Sequence, residues 1–253
     1  MGRLIKFEFR RLFSQKSFYI CTGILMLITL LQIRSSWNMR ADMGLDGAGF
    51  VQESLINSGT TFLFVILLGI FSALFVCEDY SAGTIRVIIT RGYSRARIYF
   101  AKLIVLCIAA LIMLCVCWIS ALATAMVVYD GVNTSMNIMF LLAMFGQALL
   151  VVAYACLFNA AASAVQKTGG AIALCIVLPM TVTIILTLLE TTLNRGSTEN
   201  EIELCKYWLE RLISDISIVK PPKETLSLVL RAAPIYAAVT TGLGWLFVFK
   251  REY

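Results

Sequence analysis

The apolar positions of this chain neither alternate nor recur at a helical period over most of its length. They run on. Residues 103–129 pass 27 positions without a charge, and Leu55 to Cys77 is also uncharged. About 20 apolar residues in a helix, rising 1.5 Å each, cross the ~30 Å hydrocarbon core of a bilayer. Six such spans are predicted, at 18–33, 60–77, 103–129, 138–165, 169–189 and 227–249. The expected fold is all-α, a single transmembrane domain over residues 1–253. The first run does not read as a cleaved signal peptide, because no small-x-small site follows it. Pro179 is expected to interrupt span five. Pro234 with Gly242 and Gly244 should bend span six or let it pack closely.

Between the runs lie three polar segments with their own patterns. In residues 3–16, Leu4, Ile5, Phe9, Leu12 and Phe13 fall on one helical face, with Lys6, Arg10 and Arg11 opposite. The spacing predicts an amphipathic helix over about 1–17, lying in the interface and drawn to anionic lipid. In residues 78–102, Ser81 is expected to cap a short helix carrying Thr84, Ile85, Ile88 and Ile89. Gly92 fits the left-handed residue that ends it, and Ser94 caps the helix that continues into span three. In the long loop 190–231, Thr198 to Glu201 form a capping box. Leu204, Trp208, Leu209, Leu212, Ile213 and Ile216 then recur at helical spacing, and Pro221-Pro222 stops the run. A helix over about 199–217 is expected there, resting on the rim of the bundle.

Composition agrees with the pattern. The chain is 60% hydrophobic and 14% charged, against roughly 25% charged in soluble domains. It has no histidine, which excludes HExxH zinc sites, His-dependent triads and histidine proton relays. No GxxxxGK[ST] occurs, so the chain has no P-loop of its own. No catalytic or metal-ligating set is predicted. Seven of the eight cysteines lie in or beside apolar runs and read as small core hydrophobes. Cys205 alone falls in a long polar loop, where a Cys205–Cys205 bond across a dimer is one reading and a free thiol the other. Lys and Arg concentrate in the short segments that share a side with the N-terminus, so both termini and residues 78–102 are expected in the cytoplasm.

Polar residues within the spans are few. Gln147, Tyr154 and Asn159 lie in span four, and Thr183 in span five, and these are the candidates for a pathway. No charge sits at the middle of a span, which argues against ion-coupled transport and suits an amphipathic or lipid-like substrate.

The segment "CEDYSAGTIRVIITRGYSRARIYFAKL" resembles the signature of ABC-2-type permeases, the membrane subunits of a class of ATP-binding-cassette exporters. The shared pattern is Glu78 at the end of span two, Gly83-Thr84, the aliphatic run Ile85 to Ile89, a turn, Ser94-Arg95, and Lys102 opening span three. Gly92-Tyr93 stands where such permeases often have Pro in the turn. The small permeases serving bacteriocin or antibiotic immunity are similar in size. The resemblance implies that 78–102 is a coupling segment docking on a separate cytoplasmic ATPase dimer, through Glu78, Asp79, Gly83, Thr84, Ile85, Arg86, Ile88 and Ile89. It implies a second permease, identical or paralogous, facing this one in a bacterial plasma membrane. It implies ATP-Mg bound by the partner subunit, no cofactor in this chain, lipid around it and no nucleic acid. Two other classes compete. One is a non-transporting scaffold or sensor whose cytoplasmic hairpin binds a signalling partner. The other is an intramembrane enzyme, which lacks any nucleophile-base pair here.

Overall fold

The computed structural model describes residues 2–43, 62–90, 92–128, 138–194, 203–216 and 223–250. Among them there is no strand. The helices are α1 (Gly2–Ser14), α2 (Lys16–Met43), α3 (Phe62–Ser81), α4 (Thr84–Thr90), α5 (Arg95–Val128), α6 (Ile138–Val165), α7 (Thr168–Leu193), α8 (Leu209–Ile216) and α9 (Lys223–Lys250). Six of these, α2, α3, α5, α6, α7 and α9, are long and apolar enough to cross a membrane. The predicted spans are all found, mostly longer at their ends.

The core is aromatic and small-residue packing around α3, α5 and α6. Phe64, Phe71, Phe75, Met113, Leu114 and Phe158 are fully buried within it. Burying α3 on most sides leaves α7 and α9 at the periphery, where Ile184, Leu188, Ile235, Val239 and Phe247 are exposed. In water such faces would be unstable; against lipid tails they cost nothing. α9 packs closely along α6, where a Cβ on Gly244 would stand 2.9 Å from the Ala160 Cβ and collide with the Tyr99 hydroxyl. Gly244 therefore packs closely, as expected, whereas a Cβ on Gly242 would meet no neighbouring atom within 4 Å among the described residues.

Several expectations are corrected. α7 runs unbroken through Pro179; neighbouring helices hold a proline-containing span together where an isolated helix would break. Ser81 does not cap α4. It ends α3, and its hydroxyl donates to the Glu78 carbonyl at 2.9 Å. The chain instead turns on Gly83 (φ +66°) and again on Gly92 (φ +85°), values that glycine adopts without a Cβ penalty. Ser94 does stand at the start of α5, its carbonyl accepting the Ile98 N–H at 3.2 Å. In the long loop the helix starts at Leu209, later than expected. A 3-10 turn, Cys205–Tyr207, precedes it, and Trp208 between them is extended. The capping box at 198–201 lies outside the described residues.

Candidate functional site

Chemistry collects at the two ends of the bundle. At the first end α1 folds back onto α3 and α5. Its inward stripe is Leu4, Glu8 and Leu12, all buried, one residue per helical turn. Leu4 packs with Ile88, Ile98 and Ala101, while Leu12 joins the main core. So α1 is seated on protein and not only on lipid, and Phe7 and Phe13 are left half-exposed. Arg11, expected on the outer face, turns inward. The reason is a carboxylate: Asp79, at the end of α3, is 1% exposed and pairs through one oxygen with Arg11 and through the other with Lys102 of α5. Lys102 is itself buried and also donates to the Val76 carbonyl at 3.4 Å. Arg11 reaches Glu78 at 3.0 Å, and Gln15 donates to the same carboxylate. The Phe75 ring lies 5.8 Å from the Arg11 guanidinium and 6.0 Å from the Lys102 ammonium.

Buried charges persist where each is paired, and here one carboxylate holds cations from two helices. Glu8 stands apart. It is fully buried, 4.0 Å from Arg11, and its oxygens have no hydrogen-bond partner among the described residues. Burial pushes its carboxyl above the ordinary value, against the pull of Lys102. Glu8 and the inward role of Arg11 were not read from the sequence. The signal was there: an acid spaced four residues from Leu4 and from Leu12.

The structure thus brings together part of the predicted coupling set. Asp79 is consumed inside the chain, and Ile85 and Ile88 are buried in it. Glu78 is exposed, and Gly83, Thr84 and Ile89 are partly exposed on the turn and α4. The Arg86 side chain lies outside the described residues. A cavity of about 20 Å³ lies under α4, lined among others by Ile85, Ile89, Arg95, Lys102 and Asn159.

The other end is built by α6, α7, the 3-10 turn and α8. Leu209, Leu212, Ile213 and Ile216 of α8 are fully buried, and Ile216 lies against Gly146 of α6. The helix is therefore wedged into the bundle, which differs from a helix resting on its rim. Glu210 projects on its other side. The Trp208 indole donates to the Thr183 hydroxyl at 2.9 Å, and that hydroxyl reaches the Glu210 carboxylate. Two cavities adjoin here. The outer one, about 610 Å³, is lined by Glu190, Cys205, Trp208, Glu210 and Arg211 among others. The inner one, about 170 Å³, is lined by Phe62, Val65, Tyr154, Pro179, Glu210, Ile213 and Ser214. Of the predicted pathway residues, Tyr154 and Thr183 meet at these cavities. Gln147 is buried beside α5, accepting from the Trp118 indole at 3.3 Å, and Asn159 lies at the opposite end. Glu210 and Trp208 were missed as site residues, since in sequence they look like the solvent side and the apolar side of one surface helix.

Residues 4–190 match the family described as ABC-2 family transporter protein. That range runs from α1 through the α4 turn and the first five spans. The chain belongs to this family. No curated protein matches it. This ABC-2 protein is accordingly a multi-pass membrane protein and a permease subunit of an ABC transporter, and permeases of this kind work with an ABC ATPase. Glu210 and Trp208 lie beyond the matched range, while Tyr154, Thr183 and Glu190 lie within it.

Proposed function

We propose that this ABC-2 permease is the membrane half of an exporter that moves an amphipathic peptide, an antibiotic or a lipid-like molecule out of a bacterial cell. Two copies, or this chain and a paralogue, face each other. ATP-Mg is bound and hydrolysed by a separate cytoplasmic ATPase dimer. In this reading α1, α4 and both termini are cytoplasmic, and the α8 end faces outward.

The observation that carries the reading is the Arg11–Asp79–Lys102 set. It ties α1 to the ends of α3 and α5, next to the α4 turn. A push on α1 or α4 then moves two spans together, since breaking a buried ion pair costs several kcal/mol. The docking surface consists of the half-exposed Thr84, the exposed edge of Ile89, whose other side lines the cavity under α4, and the exposed Glu78, which Arg11 and Gln15 hold in place. Ile88 is taken up by Leu4 and Ile98 and serves to hold α4 in place.

The test is detergent co-purification with the ATPase subunit. Ile89→Glu would bury an unpaired charge in the interface, and each ~1.4 kcal/mol is tenfold in affinity. ATPase recovery should fall more than about tenfold. Thr84→Ala should cost less, about 0.5–1.5 kcal/mol for one hydrogen bond. Wild-type recovery with Ile89→Glu would sink this docking surface and return the scaffold or sensor reading to the front.

A further inference from the structure

Among the described residues, the outer end of the bundle holds more carboxylates than ion pairs. Four carboxylates, Glu190, Glu203, Glu210 and Asp215, line the outer cavity against two cations, Lys206 and Arg211. Lys206 pairs with Glu203 at 3.3 Å, and Arg211 with Asp215 at 3.3 Å. Among the described residues Glu190 accepts only from Cys205, whose backbone N–H lies at 3.1 Å, and Glu210 only from a hydroxyl. That leaves Glu190 and Glu210 without an ion pair among the described residues. An acidic cluster alone would be a solvated surface, but a second feature stands directly below it.

Tyr154 lies near the middle of α6, 1% exposed. Its hydroxyl has no hydrogen-bond partner among the described residues, although buried phenol groups are ordinarily satisfied. Tyr154 lines the inner cavity, and so does Glu210. That cavity is otherwise mostly apolar, and its ~170 Å³ is about the size that accommodates one aromatic ring. The Trp208–Thr183 chain holds one Glu210 oxygen, and among the described residues nothing bonds to the other. Acid, ring-sized apolar chamber and orphan hydroxyl therefore follow one another from the outer mouth inward.

We propose that these two cavities form a binding site for a cationic amphiphile, with its amine against Glu210 and an apolar group of about ring size in the chamber beneath, where the Tyr154 hydroxyl meets a polar atom on it. Glu190 and the Trp208 indole add attraction for the cation at the mouth. This deepens the exporter reading and rests on it, since it names the chemistry of what that site holds. A small arylalkylamine and a peptide carrying an aromatic residue at its free N-terminus present the same chemistry.

The experiment uses the full chain alone, in nanodiscs of zwitterionic, net-neutral phosphatidylcholine, without ATPase. Binding of 2-phenylethylamine, of its uncharged counterpart 2-phenylethanol, and of a short peptide amide with N-terminal phenylalanine is followed by isothermal titration. Saturable binding of the amine or the peptide is expected, and weaker binding of the alcohol. Glu210→Gln keeps the hydrogen bond to Thr183 and should weaken the charged ligands about tenfold or more, with the alcohol unchanged. Tyr154→Phe keeps the ring and should leave these three nearly unchanged, since their phenyl rings carry no polar atom, while tyramine, whose ring hydroxyl can pair with Tyr154, should weaken by several-fold. A symmetric size-exclusion peak with retained helicity certifies each variant, and Glu190→Gln, at the open mouth, gives a second and smaller charge effect. Saturation by the peptide alone places the site on peptide termini; saturation by both places it on amines in general. The proposal is overturned if no charged ligand saturates, or if Glu210→Gln and the alcohol comparison leave affinity unchanged. Such a failure leaves the ATPase co-purification result standing, so the two readings fail separately.

Discussion

Replacing Asp79 by asparagine tests whether the ion pairs at the α1 end hold the bundle together. Among the described residues Asp79 is the only carboxylate paired with both Arg11 and Lys102, and its side chain is 2% exposed, against 4% for Lys102. Asparagine keeps the shape and removes the charge, which leaves a buried ammonium and guanidinium side by side. Removing one partner of a buried pair typically costs ~3–5 kcal/mol. Arg11 retains Glu78 at the rim, and Lys102 retains the Val76 carbonyl and two ring faces. The expected loss is therefore at the lower end, ~3 kcal/mol, about a hundredfold in the folded ratio. Lys102→Met should cost less, because Asp79 keeps Arg11. The decisive variant combines Asp79→Asn with Lys102→Met. With both changes in place no buried ammonium remains, and uncharged replacements of a buried pair are often neutral. The double variant should thus be more stable than Asp79→Asn alone, a coupling of ~1–3 kcal/mol. Reversible unfolding by SDS in mixed micelles, followed by tryptophan fluorescence, measures all four proteins. Strict additivity, with the double variant the least stable, would refute the reasoning. So would an Asp79→Asn protein within ~0.5 kcal/mol of wild type, the scatter of a surface substitution.

Glu8 should make docking of α1 sensitive to pH. Its folded carboxyl is raised by burial, so the stability tied to its protonated form is complete below the ordinary carboxylate value and is lost as pH rises through the raised one. Glu8→Gln should remove this contribution, stabilising the protein at pH 8 and changing little at pH 4, as read by the same unfolding titration. Gly244→Ala should destabilise by ~1–3 kcal/mol, since the added methyl meets Tyr99 and Ala160. Gly242→Ala, whose methyl meets no neighbouring atom within 4 Å among the described residues, should be neutral or slightly stabilising. Equal thermal shifts for the two glycines would contradict the close α6–α9 approach.

The number of spans and the all-helical class were legible from the sequence because they are local properties. A run of 27 uncharged residues has one stable environment, and inside it the backbone can satisfy itself only as a helix. The turn after α4 was nearly as plain, since Gly92 supplies the left-handed backbone, whereas the turn before it was assigned to a Ser81 cap and is made by Gly83. The buried face of α8 followed from the spacing of Leu209, Leu212, Ile213 and Ile216, although its start did not, because the extended Trp208 answers to Thr183 of another helix. What periodicity cannot express is which polar residue faces inward. An amphipathic pattern assigns apolar residues to the interior, so Glu8 and Arg11 read as surface. Asp79, which pairs with Arg11, and Lys102, which shares that carboxylate, lie far off in sequence and come within reach only when α1 folds back on α3 and α5. Tyr154 and Glu210 are likewise brought to one cavity from separate helices. Coulombic pairing and cavity shape depend on distances through space, and those were set by the tertiary packing alone.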